Sequence, residues 1–177
     1  MNTYLHRHRH WNELQSIMKR IELHFFWDEL LSELAAETYH RGKTIESGDN
    51  YRKIHELMAT ADNKVHTEKL WASACKGYGE LQQAMSEYLT SSSATSGSHS
   101  PGFEASDLIL PLTFPNNWNS GLVESLSESA HAYLRNRILT EWYAVTEPEM
   151  SESYAALAAG SLNEVIRCIH SRIRPMR

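Results

Sequence analysis

The sequence predicts a mainly α-helical domain, a bundle of four to six helices with one short extended segment or arm. Three observations carry that expectation. Apolar residues recur at three- and four-residue spacing over long segments, the pattern of one buried helix face. Glycine and proline fall mostly between those segments, where helices start and stop. Only Leu108-Ile109-Leu110-Pro111-Leu112-Thr113-Phe114-Pro115 reads as extended, with proline confining it to an edge strand or an arm.

The first helix is expected from Trp11 to Arg41, on Leu14, Ile17, Met18, Ile21, Leu31, Leu34, Ala35 and Thr38. Its apolar stripe widens at Phe25, Phe26 and Trp27, and Gly42 is placed to end it. Ser47-Gly48-Asp49-Asn50 is turn chemistry that can open a short helix through Thr60. The next helix is expected over Asn63 to Leu89, on Val65, Leu70, Trp71, Ala74, Leu81, Ala84, Met85 and Tyr88. Gly77 and Gly79 in its middle cost about 2 kcal/mol together against alanine, so a kink, a break or a close helix crossing is expected there.

Residues 90–106 are rich in serine, threonine and glycine, a composition that cannot offset its ordering entropy. They read as a flexible loop dividing a single domain, residues 1–177, into N- and C-terminal helical halves. After the extended segment, Asn116, Asn117 and Asn119 offer caps for a helix through Val145. Thr146-Glu147-Pro148-Glu149 has capping-box spacing and opens the last helix. Its expected core stripe is Tyr154, Leu157, Ala158, Ser161, Leu162, Val165, Ile169 and Ile173. Tyr133, Leu134, Ile138 and Trp142 should pack against Leu162, Val165 and Ile169 between the last two helices.

Composition narrows the function classes. The 177 residues are 41% hydrophobic and 22% charged, ordinary for one globular domain. A formal charge of −5, from 17 Lys+Arg and 22 Asp+Glu, argues against a generic basic nucleic-acid coat. A local basic patch is still open, because both ends are basic. No apolar run approaches the roughly 20 residues of a membrane span. Residues 1–10 contain no apolar signal-peptide core, so a cytoplasmic protein, or one assembled into a particle there, is expected, without a membrane partner. Cys75 and Cys168 lie far apart inside helical patterns and read as reduced, partly buried thiols.

Glu37 with His40 and Glu128 with His131 have the Glu-x-x-His spacing of di-iron bundles. On a helical wheel, however, His40 and Glu128 lie roughly 140–150° from the apolar faces, and core ligands must face the core. His6, His8 and His10 alternate with Arg7 and Arg9, which suits a basic tail as well as a metal arm. His55-Glu56-Leu57-Met58-Ala59 has alanine where a zincin has its second histidine. No phosphate loop, dinucleotide fingerprint or nucleophile elbow is present. No catalytic residue, cofactor or metal is therefore expected. Trp11, Trp27, Trp71, Trp118 and Trp142 read as core rather than as stacking platforms for bases.

The second half carries a resemblance. The loop, the Leu-x-Leu-Pro segment, a helix ending in Ile138-Leu139-Thr140-Glu141-Trp142-Tyr143 and a last helix closing on Arg172-Ile173-Arg174-Pro175 resemble the head–tail connector (adaptor) proteins of tailed bacteriophages. The likeness runs from about Asp107 to Arg174. It implies a non-enzymatic virion structural protein, assembled in the host cytoplasm into a homo-oligomeric ring joining portal to tail. Leu108, Leu110, Leu112 and Phe114 would then form an assembly arm. Arg167, Arg172, Arg174 and Arg177 would supply basic contacts to a neighbouring subunit or locally to a DNA backbone. The alternative is a cytoplasmic helical adaptor or regulator that binds another protein. The two differ in one physical respect: a ring arm has no partner within its own chain, whereas an adaptor packs Leu108–Phe114 onto its own body.

Overall fold

The computed structural model describes residues 18–45, 64–90 and 107–173. In chain order these hold β1 (Met18–Phe25), α1 (Trp27–Ile45), α2 (Lys64–Ala84), β2 (Leu108–Pro115), α3 (Val123–Thr146) and α4 (Pro148–His170). Two 3₁₀ turns, Ser86–Tyr88 and Ser120–Leu122, follow α2 and precede α3. The fold is mainly helical, with a small two-stranded sheet. The expected helix around 47–60 and the serine-rich stretch 91–106 lie outside the described residues.

Met18–Phe25 is a strand, not the middle of a helix begun at Trp11. Ile21, Leu23 and Phe25 turn inward while Arg20, Glu22 and His24 turn outward, a period of two. The crowding at Phe25, Phe26 and Trp27 is the join between two periods, not a widened helix stripe. Phe26 is outside and Trp27 begins α1. The backbone N–H of Trp27 donates to Asp107 Oδ1 at 3.1 Å, so the start of α1 is tied to the approach to β2. At its other end α1 runs through Gly42 to Ile45, so Gly42 does not terminate it.

β2 pairs antiparallel with β1, placing Leu112 opposite Ile21, Leu110 opposite Leu23 and Leu108 opposite Phe25. Leu108, Leu110, Leu112 and Phe114 are all buried in the main core, the last three with no exposed surface. The segment expected to be a free arm is thus a strand of the chain's own body. The hydrophobic gain of burying four large side chains, about 2 kcal/mol each, explains why it is held there. An aromatic column continues the core: Tyr88 stacks on Phe114 at 4.8 Å, and Phe114 on Trp118 at 4.1 Å. Trp118 is fully buried and donates Nε1–H to the carbonyl of Cys168 at 2.9 Å, tying the start of α3 to the end of α4.

α3 and α4 form an antiparallel helical hairpin joined at Glu147, and α2 packs across α3. Gly77 marks that crossing. A Cβ there would lie 3.2 Å from Arg137 Cγ and 3.3 Å from Leu134 Cδ2, whereas one at Gly79 would meet nothing within 4 Å. The close crossing is at Gly77, and the helix continues through both glycines. Leu134, Ile138, Val165 and Ile169 are buried as expected, while Leu162 is only partly so. Tyr133 and Trp142 point toward α2, touching Glu80 and His66. Leu157 and Ile173, read as core, are 55% and 53% exposed. The capping box at Thr146 does not form. Thr146 ends α3 and donates to the Trp142 carbonyl, and no side chain caps α4. Asn119 caps the Ser120–Leu122 turn instead, accepting from the Gly121 N–H.

Candidate functional site

Three polar or open features are built on the helical framework. The first lies between α2 and α3. Arg137 reaches Glu80 through Nε at 3.0 Å and Nη2 at 3.2 Å, and Glu141 through Nη2 at 3.0 Å. Lys76 and Ser73 close on Glu141 at 2.8 and 2.6 Å, and the Tyr133 hydroxyl donates to Glu80. The hydrogen bonds from Arg137 hold Glu80 below the usual carboxylate range. Burial works against ionisation of Glu141, yet Lys76, Ser73 and Arg137 together leave it lowered as well. Burial and the neighbouring Glu80 push Tyr133 well above an ordinary phenol. Glu80 and Glu141 are thus held as carboxylates and Tyr133 as a neutral phenol near neutral pH. That suits a clamp between two helices better than acid–base work, which needs a group poised near the working pH.

The second feature joins α1 to the α3–α4 hairpin. Tyr143 and Tyr154 stack at 5.4 Å, the Tyr154 hydroxyl donates to Glu37, and Arg41 pairs with Glu147 at 3.1 Å. The Tyr143 hydroxyl is buried without a hydrogen-bond partner, and burial with the nearby Glu37 and Glu147 pushes it up to about 12. Beside this cluster, Arg41, Glu147, Pro148, Glu149 and Met150 line a cavity of about 440 Å³. Glu37 is therefore engaged with Tyr154, and His131 with Glu33 at 3.1 Å, while His40 and Glu128 are exposed. Among the described residues no three His, Cys, Asp or Glu side chains converge as a metal site.

The third feature is the outer seam of the hairpin. α4 carries Tyr154-Ala155-Ala156-Leu157-Ala158-Ala159-Gly160, seven residues without a charge. Tyr154 and Ala158 face the core, but Ala155, Ala156, Leu157, Ala159 and Gly160 are exposed. A helix with one face on the core normally shows charged residues on the other. Here that face is small and apolar. With Ser129 and Ala132 of α3 it forms a shallow, open trough of about 490 Å³, also lined by Ala156, Leu157, Gly160 and Ser161 and by the carboxylates Glu128 and Glu164. Small side chains let another backbone approach closely, and the half-exposed Leu157 offers an apolar contact. Glu128 has no partner among the described residues, while Glu164 is paired with Arg167 one turn on.

The residues expected to mediate assembly are placed differently. Leu108, Leu110, Leu112 and Phe114 are core, as described above. Arg167 is exposed and held by Glu164. Arg172 is inward: it donates to the carbonyls of Ile169 and Ser171 at 2.7 and 3.1 Å and to the Tyr88 hydroxyl at 2.9 Å. It satisfies the open carbonyls at the end of α4, a helix-terminus role. Arg174 and Arg177 lie outside the described residues. The hairpin trough was missed in the sequence, although the uncharged 154–160 run was its visible signal.

No protein family matches this sequence, and no curated protein or solved structure matches it. Among the described residues no helix is long and apolar enough to cross a membrane.

Proposed function

We propose that this chain is a non-enzymatic adaptor that binds another protein, taking an amphipathic helix of that partner into the α3–α4 trough. The observation that carries the reading is the exposed apolar face of α4 at Ala155, Ala156, Leu157, Ala159 and Gly160, in a helix whose opposite face already fills the core. A helix laid in such a trough presents apolar residues to Leu157 and basic residues to the Glu128 and Glu164 carboxylates. Glu124, Glu149 and Glu152, all exposed on the same two helices, extend the acidic character. A partner helix rich in lysine or arginine on its flanks therefore fits by charge as well as by shape.

The ring-connector reading, with portal and tail partners and a virion location, needs Leu108–Phe114 free to engage a neighbour. That segment's place in the chain's own sheet favours the adaptor. So does the engagement of Arg172 within the chain.

The test is a titration of the full chain with an 18-residue Lys/Leu amphipathic helical peptide, about five turns long, followed by NMR. Binding in roughly the micromolar range, with shifts centred on Ala156, Leu157 and Gly160, is expected. Leu157→Arg and Gly160→Leu should each weaken it by tenfold or more without loss of fold, because both positions are exposed. Absence of binding, or binding that both variants leave unchanged, refutes the reading.

A further inference from the structure

The two edges of the small sheet are built differently. The outer edge of β2 is covered: Leu89 bridges to Leu112, and the Thr90 N–H donates to the Pro111 carbonyl at 3.2 Å. Pro111 and Pro115 remove two further donors from that strand. Among the described residues β1 has neither protection. It contains no proline, and among the described residues its backbone pairs with β2 alone. A strand whose second edge meets no described backbone is a template for pairing with another strand.

The side chains of β1 indicate which strand. Its outward face reads Met18, Arg20, Glu22, His24, and then Phe26 beyond its end, with Met18 and Phe26 about half exposed. Side chains opposite each other across an antiparallel pair lie on the same face. In a symmetric pairing centred on Ile21, Arg20 of each copy stands opposite Glu22 of the other, so two ion pairs form by symmetry. Met18 of each copy stands opposite His24 of the other and within diagonal reach of Phe26, which already stacks on His24 at 6.2 Å. On the inner face Ile21 meets Ile21. Moving the centre by one residue to Glu22 sets Glu22 against Glu22, and moving it to Arg20 sets Arg20 against Arg20. One register is favoured and its neighbours are disfavoured by like charge.

We propose that β1 is a self-association edge: two copies of this chain pair antiparallel through Met18–His24 about a twofold axis at Ile21, giving a continuous four-stranded sheet in the order β2-β1-β1-β2. The arrangement is isologous and closed, so it ends at a dimer. Among the described residues Arg20 has no ion-pair partner, and Glu22 has only the exposed His24 at 3.5 Å, a contact that leaves its other oxygen for the second copy. This surface is separate from the α3–α4 trough, and one can fail without the other.

Sedimentation equilibrium of the full chain tests it. A dimer is expected. Arg20→Glu and Glu22→Arg should each weaken it by roughly tenfold, since each replaces two attractions with two like-charge contacts. The double variant, with the charges exchanged, should restore it. All these positions face outward, and circular dichroism should show the fold unchanged. A chain that stays monomeric to about 1 mM, or a dimer that either charge reversal leaves intact, overturns the proposal. So does a double variant as weak as the single ones.

Discussion

At the scale of single residues, the two stacked tyrosines separate what a buried hydroxyl contributes from what its ring contributes. Tyr154 donates to Glu37, whereas the hydroxyl of Tyr143 is buried with no partner. A buried polar group without a bond costs about 1–3 kcal/mol of desolvation. Tyr143→Phe should therefore raise the stability of the chain by about 1 kcal/mol, seen as a higher urea midpoint with an unchanged slope. Tyr154→Phe should lower it by a similar amount, since it strands part of Glu37's hydrogen bonding. If Tyr143→Phe were the destabilising one, the hydroxyl would have a partner in solution. Neither role was legible in the sequence. Tyr154 was readable as core from its spacing, but which hydroxyl finds a carboxylate depends on where α1 lies.

Elements show where period-based reading succeeds and where it fails. The spacing of Leu134, Ile138, Val165 and Ile169 identified the packed faces of α3 and α4, because each helix has a dominant neighbour. At Met18–Phe25 the same rule failed, since Met18 and Ile21 satisfy helical spacing while Ile21, Leu23 and Phe25 satisfy strand spacing. Its strand partner lies more than eighty residues away, and local spacing cannot weigh a pairing so distant. The glycines of α2 give the prediction at this scale. Gly79→Ala should stabilise by about 1 kcal/mol, the gain in helix propensity at an open position. Gly77→Ala should give less than that or destabilise, because Leu134 is fully buried and Arg137 is held by Glu80 and Glu141, so neither yields easily to a new methyl group. Equal effects of the two, measured by thermal unfolding, would show that the helices do not cross closely at Gly77.

For the whole molecule, β2 links the N-terminal strand and α1, the end of α2 and the start of α3. Leu110 is fully buried there in the shared core, opposite Leu23. Leu110→Ala should cost about 2–5 kcal/mol, and deletion of residues 108–114 should abolish cooperative unfolding. A deletion variant that kept a sharp transition would return the segment to the role of an arm. Leu162→Ala, at a partly buried position, should cost less than Leu110→Ala. The trough on α3–α4 also belongs to this scale: the uncharged run Tyr154–Gly160 is visible in the sequence, but only the packed hairpin shows which of its residues stay outside.

The sequence by itself determined the mainly helical class, the extended character of Leu108–Phe114, an irregularity at Gly77–Gly79 without its kind, and most of the core faces of the last two helices, Leu157 and Ile173 excepted. Each follows from local chemistry: side-chain period, proline's missing donor, glycine's missing Cβ. Only the tertiary structure decided that Met18–Phe25 is a strand and that Leu108–Phe114 is core rather than arm. It also turned Arg172 inward and left α4 with an apolar outer face. Those outcomes depend on pairings between residues distant in the chain, where the free energy of burying one segment against another outweighs local preference.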